Sequence, residues 1–74
     1  MDIRKISVGP DYKSGAMHYL VGQEVLNGSY FIHLIQHDIS SNSIKIWIQR
    51  KDEIVLWKEF TSPMPISIEY NINF

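Results

Sequence analysis

The chain has 74 residues, 45% of them hydrophobic and 20% charged, with no cysteine and a formal net charge of −1. That length holds one domain, residues 1–74, because two cores would need roughly 100 residues each. The missing cysteines exclude disulfide staples, thiolate catalysis and thiolate metal sites. Seven Lys+Arg against eight Asp+Glu lack the broad basic field of a dedicated DNA binder.

A chain this short buries only about 60% of its unfolded surface, so its core must be efficient or be completed by a partner. Twelve residues are Ile and one is Ala. Ile is β-branched, stiff at χ1 and suited to a pleated surface, whereas Ala favours helices. The composition therefore points to an all-β protein. No run approaches the roughly 18–20 apolar residues of a membrane span, and no membrane partner is expected. The charged opening lacks the apolar stretch of a secretion signal. A reducing cytoplasm is the expected compartment.

In chain order, residues 3–8 and 16–21 read as strands, divided by turn chemistry at Gly9-Pro10-Asp11 and Ser14-Gly15. Asn27-Gly28 is a two-residue type I′ hairpin signal. It sets Val25 against Tyr30 and, carried outward, Val21 against Leu34 and His18 against His37. The turn Ser40-Ser41-Asn42-Ser43 sets Ile39 against Ile44 and Ile35 against Ile48. A turn at Lys51-Asp52 sets Ile48 against Val55 and Trp47 against Leu56. Residues 52–60 could start a helix capped by Asp52, but Ile54-Val55-Leu56-Trp57 is apolar on every side, so a strand is preferred. Pro63 and Pro65 mark a crossover into the last strand, where Ile66, Ile68, Tyr70, Ile72 and Phe74 alternate with polar residues.

These registers place Phe31, Ile35, Ile39, Ile44, Ile46, Ile48, Val55 and Trp57 on one face, which is the more continuously apolar and is taken as the core. The other face carries Tyr30, Ile32, Leu34, Trp47, Ile54 and Leu56, diluted by Gln36, Lys45 and Gln49. One bulge would invert every assignment beyond it. So small a chain cannot cover both faces with its own mass. The expected fold is therefore a small antiparallel meander sheet of five to six strands, curled into a closed or partly open barrel, whose second face is wet or meets another molecule.

The candidate chemistry is sparse. His33 and His37 are four apart, which on a strand is about 13 Å, too far for one metal ion. His18 beside His37 would supply two imidazoles, with no third ligand placed by the spacing. No pair of carboxylates is forced into one pocket, and the serine cluster 40–43 is explained by its turn. No nucleophile elbow or phosphate-cradling loop is present, so neither catalysis nor a cofactor or metal is expected. The remaining constellation is Trp47 between Lys45 and Arg50, with Gln49 and Lys51 close by and Tyr19 and Tyr30 on neighbouring strands. Aromatic platforms flanked by cations bind single-stranded nucleic acid, and Trp and Tyr also anchor protein interfaces. Tyr19, Tyr30, Lys45, Trp47, Gln49, Arg50 and Lys51 are thus the candidate partner-binding residues. The C-terminal ladder closes the barrel against the N-terminal strand, and as an edge it can also pair with a partner's edge in a homodimer.

The opening MDIRKISVGPDYKSGAMHYLVGQEV, with the Ile-, Asn-, Ser- and Lys-rich remainder, resembles small early accessory proteins of T-even-type bacteriophages. The resemblance is one of overall character along the chain, rests on no diagnostic motif and carries no site residue across. It implies a viral product acting in the host cytoplasm by binding a host protein or RNA, without catalysis. Two functions are therefore expected in order: a protein-interaction module using the aromatic sheet face, then a small barrel binding RNA or single-stranded nucleic acid.

Overall fold

The computed structural model describes residues 3–9, 17–61 and 66–71. Within them lie seven strands: β1 (Ile3–Val8), β2 (Met17–Leu20), β3 (Glu24–Val25), β4 (Tyr30–Asp38), β5 (Ser43–Arg50), β6 (Glu53–Thr61) and β7 (Ile66–Tyr70). All pairings are antiparallel, in the orders β2-β1-β7 and β3-β4-β5-β6. The fold is all-β, with a sheet curled 227° into a half-barrel. The helix alternative for residues 52–60 is absent, because β6 occupies that stretch. The crossover prolines, the turns at Pro10-Asp11 and Ser14-Gly15, and Ile72 and Phe74 lie outside the described residues.

The strand expected over residues 16–21 does not continue in register into the Asn27-Gly28 turn: β2 ends at Leu20 and a separate β3 follows, which raises the count above five or six. Val21 N–H still donates to Arg4 O at 3.0 Å, but Gly22 N–H donates to Ile32 O at 2.8 Å. The chain therefore changes partner from β1 to β4 at Gly22, whose φ of 93° favours a residue without Cβ. That corner overturns two pairings carried outward from the hairpin. His18 faces Ser7 on β1 rather than His37, and Val21 does not reach Leu34.

Nearer the hairpin the expected register stands. Val25 pairs with Tyr30 and Glu24 with Phe31. Asn27 and Gly28 both have positive φ, and Ser29 N–H donates to Leu26 O at 3.1 Å. The turn at Lys51-Asp52 also stands, with Ile48 opposite Val55 and Trp47 opposite Leu56.

The β4–β5 register is slipped, and Asp38 is the cause. Its Oδ1 accepts Ser40 N–H at 3.1 Å, Ser40 Oγ–H at 2.7 Å and Ser41 N–H at 3.4 Å, closing a turn directly after the strand. Oδ2 accepts from Lys45 Nζ at 3.2 Å. Asp38 then pairs with Ser43 and Ile35 with Ile46, rather than Ile35 with Ile48. Ile39, expected in the core, is left 82% exposed in the turn.

These hydrogen bonds, that from the Ser40 hydroxyl foremost and then those from Lys45 and Ser41, hold the Asp38 carboxyl far below the usual range. A group whose folded pKa is depressed stabilises the fold above its unfolded pKa of about 4 and loses that contribution as pH falls below it. Urea midpoints are therefore expected to drop on acidification below about pH 4. Asp38→Asn should lower the neutral-pH midpoint and flatten that acid limb. Identical acid limbs in the two proteins would contradict the clamp.

Three bulges set which side chains enter the interior. His33 is the extra residue between the pairs Ile32–Ile48 and Leu34–Trp47. Trp57 is extra between Trp47–Leu56 and Ile46–Lys58, and Arg4 between Ile3–Tyr70 and Lys5–Glu69. Each lets residues three apart share the inside: Ile32 with Ile35, Trp57 with Phe60, Ile3 with Ile6. The first bulge inverts the expected faces of early β4, so Ile32 is fully buried and Phe31 is 41% exposed. The core is Ile3, Ile6, Val8, Tyr19, Val25, Ile32, Ile35, Ile44, Ile46 and Ile48. Each isoleucine with no exposed surface contributes about 2–3 kcal/mol of apolar burial.

Candidate functional site

Pairing of β4, β5 and β6 creates a second, outward face in three cross-strand rows. Phe31, Gln49 and Ile54 form the first, Leu34, Trp47 and Leu56 the second, and Gln36, Lys45 and Glu59 the third. Neighbours on adjacent strands at one register point the same way, so each row is one contiguous strip. Phe31, Leu34, Ile54 and Leu56 are 41–47% exposed, and Trp47 lies half-buried among them. Trp47 Nε1 donates to Gln36 Oε1 at 3.0 Å, which ties the indole to β4. The polar border is Gln36, Lys45 and Glu59 at one end and Glu24, opposite Phe31, at the other.

The seven candidate binding residues separate between the two faces. Trp47, Gln49 and Lys45 share the outward one. Gln49 Nε2 donates to Lys51 O at 2.8 Å, and Lys51 is exposed in its turn with a φ of 54°. Tyr19 is in the core, its ring 5.8 Å from those of Trp57 and Phe60, and burial raises its phenol pKa. It offers no stacking surface. Tyr30 packs on the inward side at the rim, where its hydroxyl donates to Glu53 Oε1 at 3.3 Å. The Arg50 guanidinium lies 5.1 Å from the Tyr30 ring centroid and 3.6 Å from Glu53 Oε1. Alternation past Ile46 and Ile48 puts Arg50 on that inward side as well.

The cations are thus not arrayed around Trp47. Lys45 is neutralised by Asp38, Arg50 by Glu53, and Arg4 by Glu69 on the other sheet. Across the strands Trp47 is flanked by Leu34 and Leu56, and along its own strand by Lys45 and Gln49. Phe31 was missing from the expected outward face because the bulge at His33 carries no sequence mark. Leu34, Ile54 and Leu56 stand on the expected outward face, but as aliphatic residues they carry no aromatic-plus-cation signature.

Of the histidines, His18 Nδ1 lies 2.8 Å from Ser7 Oγ, while His37 faces Ile44 in the other sheet. Among the described residues no group of three His, Asp or Glu side chains could hold a metal. A hollow of about 350 Å³ between Ile3 and Tyr70 on one side and Leu34, Ile35, Gln36, His37 and Ile39 on the other has Gln36 and His37 as polar side chains beside Tyr70. No carboxylate among the described residues lines it. No helix among the described residues is long and apolar enough to cross a membrane. Comparison with known families, characterised proteins and solved structures finds no match, so the face is read from its own geometry.

Proposed function

We propose that the chain is a small non-catalytic binding protein, an accessory factor of phage type, that docks on a host protein through its outward sheet face. The observation that carries this reading is the apolar strip Phe31, Leu34, Trp47, Ile54 and Leu56, held in register on three strands and bordered by polar side chains. An apolar centre with a polar rim is the anatomy of a protein interface. Burying the exposed halves of these side chains would contribute on the order of 1 kcal/mol each. The face is convex, so the partner should present a concave apolar site, with Trp47 as its central anchor. The nucleic-acid reading has less support, because Lys45 and Arg50 are spent on Asp38 and Glu53.

The test is capture of a partner from nuclease-treated bacterial lysate by tagged protein and by Leu34→Glu. Leu34 is exposed, so the substitution should shift stability by no more than about 1 kcal/mol. Affinity should fall at least about tenfold, the equivalent of about 1.4 kcal/mol. Equal capture by parent and variant would reject this face. Capture abolished by nuclease and by raised salt, and lost in Trp47→Ala, would favour the nucleic-acid reading instead.

A further inference from the structure

We infer that Gln36 is a positioning residue that caps the Trp47 indole, so that the partner's site receives the ring without supplying a hydrogen-bond acceptor. The inference rests on the docking role proposed above and adds the chemistry of the surface that meets Trp47. Trp47 stands opposite Leu34 on β4 and Leu56 on β6. Gln36 lies two residues beyond Leu34, on the diagonal from Trp47, within reach of a long side chain. Its Oε1 accepts Trp47 Nε1–H at 3.0 Å. An indole nitrogen is a donor only, so this one bond uses its whole polar capacity.

The neighbouring side chains along β5 are tied inside the chain as well. Gln49 Nε2 donates to Lys51 O at 2.8 Å, and Lys45 Nζ donates to Asp38 Oδ2 at 3.2 Å. The strip therefore reaches a partner with its central donor already bonded. That matters because hydrogen-bond energetics are asymmetric. A donor taken out of water with no acceptor costs more than an ordinary made bond contributes. An uncapped indole would require the receiving site to place an acceptor at one defined point. A capped indole can be enclosed by aliphatic and aromatic side chains alone. The receiving site is accordingly apolar and free of acceptors around the indole nitrogen.

Two measurements test this. In the free chain, the Trp47 indole N–H should exchange with solvent more slowly than in Gln36→Met. Gln36→Glu keeps an acceptor and should keep the protection, with the Trp57 indole unchanged in both. Gln36 is exposed, so its variants should fold, and thermal melts check each one. The second measurement is affinity for the protein recovered from nuclease-treated lysate and purified. Gln36→Met should weaken it roughly tenfold by leaving the indole donor unpaired in the complex. The same change made in Trp47→Phe, which has no N–H, should alter affinity by less than about twofold. Equal losses in the two backgrounds would show Gln36 touching the partner itself and overturn the inference. Indole exchange alike in the parent and Gln36→Met would overturn it too. Affinity lowered by Leu34→Glu but not by Gln36→Met would reject this inference alone, because the partner would then supply the acceptor. Recovery of no protein, or affinity unmoved by Leu34→Glu, would reject the docking face and this inference with it.

Discussion

Ile46→Ala is expected to cost about 3–4 kcal/mol and to lower the urea midpoint sharply. Ile46 has no exposed surface and sits mid-strand in β5, opposite Ile35 and Lys58. Removing three carbons there loses their transfer free energy and leaves a cavity between two hydrogen-bonded neighbours that cannot collapse into it. A domain of this length has a total stability of roughly 4–11 kcal/mol at 0.05–0.15 kcal/mol per residue. One substitution therefore removes a large part of the whole. Ile39→Ala is the matched control, because Ile39 is 82% exposed and should shift the urea midpoint hardly at all. Equal midpoints for Ile46→Ala and the parent would mean that the inward face has been misassigned.

Trp57→Ala should be nearly as damaging, at about 3 kcal/mol. Its ring meets Tyr19 edge-on, with centroids 5.8 Å apart and planes at 83°. Trp57 belongs to β6 and Tyr19 to β2, so this contact joins the two strand groups across the interior. The cation–π contact with Lys58, 4.8 Å from the ring, is lost in addition. Near-ultraviolet circular dichroism should lose the coupled Trp–Tyr signal even where the far-ultraviolet strand signal survives. Retention of that signal would place the Tyr19 ring elsewhere.

Much of this architecture was legible in the residues. The alternation of Ile44, Ile46 and Ile48 gave both faces of β5, and the Asn27-Gly28 and Lys51-Asp52 turns fixed their local registers by turn geometry alone. Alternation likewise put β7 on the sheet over residues 66–70. The illegible parts share one physical cause: a single residue that changes phase or partner leaves no periodic trace. His33 as an extra residue swaps Phe31 for Ile32, and Asp38 shortens a hairpin through hydrogen bonds to serines that look like any turn. Gly22 hands the chain from one strand to another, which removed the His18–His37 pair. For the candidate face, Trp47 and its strand neighbours followed from register. The separation of Tyr19 and Tyr30 from them did not, since each lies beyond one of these phase changes, whereas that of Arg50 is already implied by its spacing from Ile46 and Ile48.

The central claim is that the sheet buries one face to fold and keeps the other for docking. The two tryptophans, one on each face of the same barrel, test it most directly. Urea unfolding of Trp47→Ala and Trp57→Ala should be measured side by side with the parent. Trp57→Ala should lose about 3 kcal/mol, while Trp47→Ala, giving up a half-exposed ring and its hydrogen bond to Gln36, should lose about 1 kcal/mol or less. Equal losses, or a larger loss at Trp47, would mean that the outward strip belongs to the folding core and is not held open for a partner.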